Sequence, residues 1–418
     1  MPRKLRADVV VIGGGPAGMA AALGAKEGGA KDVFLLERGN ELGGILNQCI
    51  HPGFGVQLFR EELTGPEYAG VFTERLSSSG VEVMTSTLVC EVKKDGRVKA
   101  VNRSGVWEFV ARSVVMAMGC RERTRDMLRI PGTRPAGVLT AGLVQYLVNV
   151  EGLLPGREVV ILGSGDIGLI VARRLELEGV HVKAVVEIRD SLSGLVRNYV
   201  QCLLDFDIPI FFSHTVTGIQ GEGRVEAVEI SRVDEDWRPV SATAYWMECD
   251  ALLLSVGLIP ENELSRRMGI PLYPESGGPY IDENGATELP NIYACGNVSS
   301  VFDLVDYVSM VSERTGRAAA STAARRPVAF TLERGEGVGM VVPQRIRERG
   351  EGDIFFRPAR SVRDGSVQFR MGEKIIFENT MPVCRPSEMV RIPSKKVSWP
   401  GETGKVRVEI HGEPIRGI

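Results

Sequence analysis

The sequence predicts an α/β fold: two nested βαβ nucleotide-binding units followed by a small all-β domain at the C-terminus. Three observations predict it. Two glycine-rich loops, Gly13-Gly14-Gly15-Pro16-Ala17-Gly18 and Gly163-Ser164-Gly165-Asp166-Ile167-Gly168, each leave a short apolar run and enter a helix-forming stretch. In each case a further apolar strand then ends in an acid, Glu37 after Phe34-Leu35-Leu36 and Glu187 after Ala184-Val185-Val186. From about residue 331 the pattern changes to short alternating runs divided by turn residues, which is the period of a half-buried strand.

The loops have a common physical logic. The first glycine turns the chain sharply out of its strand, the second lets backbone approach a pyrophosphate, and the third lets helix and sheet pack closely. The helix N-terminus then offers amides and a positive dipole end to the phosphates. The acid at the end of the next strand accepts hydrogen bonds from a ribose. A single such loop is a common glycine turn; two copies, each with strand, helix and acid in place, predict two Rossmann-like dinucleotide-binding domains.

At 418 residues the chain has room for two to four domains with substantial cores. Its formal net charge of −3 leaves no basic surplus for nucleic acid. No apolar run reaches transmembrane length; Ala251–Val256 reads as a buried strand. The basic start, Met1–Arg6, leads into a strand without the apolar core of a signal peptide. Seven cysteines, an odd number without any CxxC pair, point to a reducing cytoplasm and away from a disulfide framework or an intrinsic metal or iron–sulfur site.

The expected organisation is nested. Residues 1–122 and 248–330 form one nucleotide domain, 153–247 the other, 123–152 a connector with a helix near Leu143 to Val150, and 331–418 the β domain. Strand-then-glycine patterns recur at Ser113–Gly119, Leu252–Gly257 and Ile292–Gly296, and residues 304–324 read as a helix.

With both fingerprints, the Met116–Gly119 pattern and the late Tyr293-Ala294-Cys295-Gly296-Asn297 run, residues 1–325 resemble the FAD- and NAD(P)-dependent pyridine nucleotide–disulfide oxidoreductases. The resemblance implies that the first loop binds FAD, through Gly13, Gly15, Pro16, Ala17, Gly18, Glu37, Arg38, Gly44, Asn47, Val89, Gly119, Gly296, Asn297 and Asp303. It implies that the second binds NAD(H), through Gly163, Gly165, Asp166, Ile167, Gly168, Glu187 and Gly257. An acid at Glu187 repels a 2′-phosphate and so favours NADH over NADPH, although Arg189 lies close by. Asp303, Asp306 and Tyr307 precede or open the late helix. They either approach the flavin, where a helix N-terminus favours an anionic reduced ring, or simply cap the helix.

The chain departs from that family in three ways. Gly-Asp in the late motif is here Gly296-Asn297. The Gly-Gly-x-Cys-x-x-x-x-Cys run of disulfide reductases is here Gly43-Gly44-Ile45-Leu46-Asn47-Gln48-Cys49-Ile50-His51, with Leu46 in place of the first cysteine, and there is no lysine between Lys31 and Lys93. The C-terminal region carries His411 as its single histidine, near the chain end. An intrachain redox disulfide is therefore not expected. Cys49 and His51 are the candidate catalytic residues, as a thiol or imidazole beside the flavin, against the plainer alternative of a packed thiol and a surface ring.

The 43–51 run, Thr64–Ala69, Gly257–Leu264 and Cys295–Asn297 with Asp303–Tyr307 narrow the resemblance. It is to flavin subunits that accompany anaerobic-type glycerol-3-phosphate dehydrogenases and a small cysteine-bearing protein, and to opine, proline and cyanide-forming amine dehydrogenase subunits. This implies a hetero-oligomer with a partner dehydrogenase flavin subunit, reaching a membrane only through partners; the charge balance and cysteine spacing leave no expectation of nucleic acid or metal. Three readings stay open: such a relay, a free-standing NADH oxidase using Cys49, and a redox-gated scaffold whose cofactors are structural.

Overall fold

The computed structural model describes residues 2–415. The chain divides into two compact units, one formed by the residues up to Cys120 together with Pro260–Pro414, the other by Arg121–Ile259.

The first unit is built on a parallel sheet in the order Glu82–Met84, Val33–Leu36, Arg3–Ile12, Gly105–Met116. The long strand Gly105–Met116 has two neighbours along one edge. Its first half pairs antiparallel with Arg97–Asn102, and its last three residues pair parallel with the returning strand Ile292–Ala294. The helix Pro16–Glu27 is almost entirely small and buried from Ala17 to Ala25. It packs against the helix Val305–Ala320 at backbone distance, since a methyl on Gly316 would lie 1.9 Å from the Ala21 carbonyl oxygen. The helix Gly65–Ser77 begins with a capping box, in which Thr64 and Glu67 satisfy each other's backbone amides. Tyr68, Phe72 and Phe109 are fully buried in this unit's core, each contributing about 2–3 kcal/mol of hydrophobic stabilisation.

Residues 330–414 of the same unit fold into two sheets. One runs Arg345–Ile346, Phe330–Arg334, Gly404–Pro414, Val362–Met371, Lys374–Cys384; the other runs Val338–Val342, Asp353–Pro358, Val390–Pro393. The alternation seen in the sequence turns Phe330, Phe356, Phe369, Val406 and Val408 inward to a common core. This sandwich is bonded to the strand-rich segment before the late helix. The Ile281 amide donates to Gln344 Oε1 at 3.1 Å, and Arg347 Nε meets the buried Asp282 carboxylate at 2.6 Å.

The second unit has a parallel sheet in the order Val138–Thr140, Ala251–Leu254, Glu158–Leu162, His181–Glu187, Ile210–Phe212, with the helix Asp166–Leu177 after its second glycine-rich turn. An antiparallel meander, His214–Gln220, Ala227–Arg232, Tyr245–Glu248, completes it. Two expected boundaries are corrected. Ala251–Leu254 pairs between Val138–Thr140 and Glu158–Leu162 in this sheet, so the expected return to the first domain at residue 248 comes too early. The 123–152 stretch is more than a connector, because Val138–Thr140 is a strand of the same sheet and Ala141–Asn149 a helix of the same core. Composition hid both, because a four-residue apolar strand carries no mark of the sheet it joins. Among the described residues no helix is long and apolar enough to cross a membrane.

Candidate dinucleotide sites

The first glycine loop is held by backbone from both sides. Gly13 has φ +105° and donates to the Leu36 carbonyl at 2.8 Å. A methyl on Gly18 would sit 1.7 Å from the Gly13 carbonyl oxygen, so helix and strand meet only because this residue has no side chain. Glu37 spans the turn, accepting from Gly14 N at 2.5 Å and Gly39 N at 2.6 Å. Gly15 is the N-cap, with Pro16 at the first helical position, where a missing amide is harmless. The amides of Ala17 and Gly18 have no partner inside the helix. A methyl built on Gly15 meets no protein atom within 4 Å, nor does one on Gly119, whose φ is +71°. A clear space bordered by helix amides and a carboxylate is what a pyrophosphate and ribose require, and the residues fit the adenosine-diphosphate half of FAD.

Two further segments close on this loop. Gly43 N donates to the Gly14 carbonyl at 2.9 Å, and a methyl on Gly44 would lie 3.1 Å from Gly15 Cα. Asn47 turns inward on its own loop, donating to the Leu42 carbonyl at 2.9 Å. From the other side, Gly296 has φ +67°, and a methyl there would be 2.6 Å from Ala17 Cβ. Asn297 accepts from Phe302 N at 3.1 Å and directs its amide to Cys120 Sγ at 3.6 Å. Arg38 is exposed just after Glu37. Val89 is placed farther along, opposite Ala100; Thr87 N, at 2.8 Å, is the amide that reaches the Glu37 carbonyl.

Several expectations are qualified here. Cys49 Sγ donates to the Ile45 carbonyl at 3.2 Å, and burial pushes the thiol up to about 12, which disfavours the reactive thiolate. Leu46, in the place of a partner cysteine, is 2% exposed. His51 shares Nδ1 with the Pro52 carbonyl at 3.0 Å and lies 5.0 Å from the Phe54 ring. Asp303 neither caps the late helix, whose N-cap is Leu304, nor keeps an unengaged carboxylate for a flavin. Its Oδ1 takes Arg357 and its Oδ2 takes Met389 N at 2.6 Å, so it clasps the C-terminal sandwich. Asp306 is the buried acid instead. Oδ2 accepts from Gln57 N at 2.9 Å, and Oδ1 is buried without a protein partner. Beside it the fully buried Tyr68 donates to Ser309 Oγ at 2.8 Å, and burial pushes its hydroxyl well above the usual phenol range.

The second glycine loop repeats the geometry with one addition. Gly163 has φ +99° and donates to the Val186 carbonyl at 2.7 Å. Gly168 packs against Ser255, whose Oγ accepts from Gly168 N at 3.0 Å, a support for the loop that the sequence pattern does not mark. Gly257 is exposed, with φ +94°. Asp166 does not face the loop's ligand side alone. Its Oδ1 accepts from Leu195 N at 2.8 Å and Asn198 Nδ2 at 2.7 Å, fixing the 194–198 segment, while Ile167 packs on the unit's core. Glu187 is only 3% exposed. It accepts from Ser164 N at 2.9 Å, Ser164 Oγ at 2.5 Å and Arg189 N at 3.0 Å. Three donors leave the carboxylate about one lone-pair direction for a ribose hydroxyl. Among the described residues no group of acids, histidines and cysteines could hold a metal.

Comparison with known proteins identifies the family. Residues 7–324 match the family described as Pyridine nucleotide-disulphide oxidoreductase. Hydrogen cyanide synthase subunit HcnB of Pseudomonas protegens is 27% identical over 402 residues, covering 88% of this chain and 81% of that protein. An opine oxidase subunit of Agrobacterium tumefaciens is 27% identical, covering 76% of this chain and 65% of that protein. Thioredoxin reductase of Listeria innocua is 27% identical, covering 70% and 85%. Among solved structures, T. acidophilum thioredoxin reductase superposes with a TM-score of 0.62 at 22% identity, over 75% of this chain and 98% of that one, a likeness of fold. The chain therefore belongs to the pyridine nucleotide-disulphide oxidoreductase family, as an FAD-dependent NAD(P)H oxidoreductase.

Proposed function

We propose that this chain is the nicotinamide- and flavin-binding subunit of a heteromeric dehydrogenase. It passes reducing equivalents between NAD(H) and a partner flavin subunit of glycerol-3-phosphate dehydrogenase type, together with a small cysteine-bearing protein. The observation that carries this reading is the missing dithiol: Leu46 is packed where a first cysteine would stand, and the half-buried Cys49 is the single cysteine of the 43–51 run, its own thiol pushed up by burial. Electrons arriving at the flavin then have no disulfide beside the flavin loop to go to. That two of the relatives, HcnB and the opine oxidase protein, are named as subunits supports a partner as the next station.

Bound FAD supplies two-electron redox chemistry and bound NAD(H) the hydride. The chain's own residues bind and orient. The Ala17 and Gly18 amides receive the pyrophosphate, Glu37 the adenosine ribose, and Glu187 disfavours a 2′-phosphate. The raised Cys49 thiol also argues against the NADH-oxidase reading, because the thiolate is the reactive form.

The test is twofold. Anaerobic NADH bleaches the flavin of the isolated chain, and the tagged chain recovered from native extract carries a second flavin subunit, identified by mass spectrometry. Rapid NADH-driven reduction of oxygen or of a disulfide by the isolated chain, lost in Cys49→Ser, overturns the proposal.

A further inference from the structure

The second unit carries one bulky exposed aromatic in a conformation that its type avoids. Trp237 is 55% exposed with φ +60°, in the left-handed region where a large side chain is a genuine outlier. It is at the tip of the hairpin between Ala227–Arg232 and Tyr245–Glu248. The tip is firmly made: Trp237 N donates to the Asp234 carbonyl at 3.0 Å, and Asp234 Oδ1 accepts from Asp236 N and Arg238 N, both at 2.9 Å.

The hairpin is tied to the end of the strand that carries Glu187. Val233 N donates to the Ser213 carbonyl at 2.8 Å, Ser213 N donates to the Arg189 carbonyl at 2.8 Å, and Arg189 N donates to Glu187 Oε1 at 3.0 Å. Arg189 then extends its guanidinium over the indole, with Cζ 5.8 Å from the ring centroid. Three consecutive hydrogen bonds thus hold a stacked guanidinium–indole pair beside the acid that marks the ribose. The base is the next group along the dinucleotide, and it is a flat ring.

We propose that Arg189 and Trp237 form an adenine platform: the adenine of the nicotinamide dinucleotide stacks on this pair, and the hairpin tip sets selectivity for a cofactor that carries a purine. Both faces suit a purine, since aromatic and guanidinium planes stack on nucleobases regardless of edge pattern. Strain at an exposed Trp has a reason if its ring is a binding surface. The proposal rests on the second loop being the NAD(H) site, and its test separates the two.

The experiment uses the flavin-loaded chain. Calorimetry gives the affinity for ADP-ribose, which lacks nicotinamide. Anaerobic flavin bleaching gives half-saturating concentrations for NADH and for reduced nicotinamide mononucleotide, which lacks adenosine. Trp237→Ala weakens ADP-ribose between about fivefold and a hundredfold, and the preference for NADH over the mononucleotide falls by the same factor. Trp237→Phe restores most of both. Trp237→Gly relieves the left-handed backbone, so it melts no lower than the parent yet loses the same affinity. Unchanged ADP-ribose affinity in Trp237→Ala and Trp237→Gly, or a parent chain that does not bind ADP-ribose, overturns the platform. A parent that binds ADP-ribose but is not bleached by NADH overturns the hydride reading, and the variants still decide the platform.

Discussion

A methyl group placed at Gly15 separates cofactor binding from folding. Its backbone, φ −75° and ψ −175°, is one that alanine adopts freely, and the added Cβ meets no protein atom within 4 Å. Replacing glycine by alanine at such a site stabilises by about 0.4–1 kcal/mol through the unfolded chain. Alanine is a poorer N-cap than glycine by a similar amount, so stability without cofactor stays within about 0.5 kcal/mol of the parent. The clear space is where a pyrophosphate meets the helix amides. Losing one such charge-assisted hydrogen bond, about 1.5–3 kcal/mol, weakens FAD roughly 10- to 150-fold. Gly18→Ala is the contrast: its Cβ would be 1.7 Å from the Gly13 carbonyl oxygen, so the fold itself loses at least about 1–3 kcal/mol. The assay is FAD titration of the deflavinated chain, read by absorbance, with calorimetric melting of the same samples. Gly15→Ala binding FAD as tightly as the parent, or melting several degrees lower without FAD, would refute the reasoning.

Other changes test other parts of the site. Cys49 alkylates at pH 8 about a thousandfold more slowly than an unperturbed thiol, since a thiol at about 12 is ~0.01% ionised there, as site-resolved mass spectrometry of iodoacetamide labelling will show. Asp303→Ala strands the Met389 amide and takes the carboxylate from Arg357, which keeps the Pro386 and Val301 carbonyls, costing about 1–3 kcal/mol; thermal melting reads this, and Asp303→Asn loses less. The Asp32 and Lys31 amides at Asp8 hold its carboxyl below the usual carboxylate range. A depressed folded value means its stabilisation is present above the unfolded value near 3.9 and is lost as pH falls through the folded one. Asp8→Asn therefore melts below the parent at pH 6, and the gap closes as melting is repeated toward pH 3.

Much of the site was legible because it is local. Strand, glycine turn, helix N-terminus and distal acid are contiguous in sequence, and backbone sterics dictate each glycine. The loop glycines, Glu37, Glu187 and the alternating strands after residue 330 could all be read one segment at a time. What surrounds a side chain could not be read so. Cys49 looks in sequence like a thiol beside a cofactor, but the Gly65 segment packed on its loop desolvates it. Asp303 looks like a helix cap, but a sandwich that begins 27 residues later supplies Arg357 and Met389. Ala251–Leu254 looks like the resumption of the first domain, but pairing places it in the second.

The sequence by itself determined that this chain has two dinucleotide loops and no dithiol, because those are properties of short contiguous segments. Only the tertiary structure decided that burial pushes the Cys49 thiol up, that Asp303 pairs with Arg357, and that Arg189 lies over Trp237. Desolvation, ion pairing and stacking depend on groups brought together from distant parts of the chain.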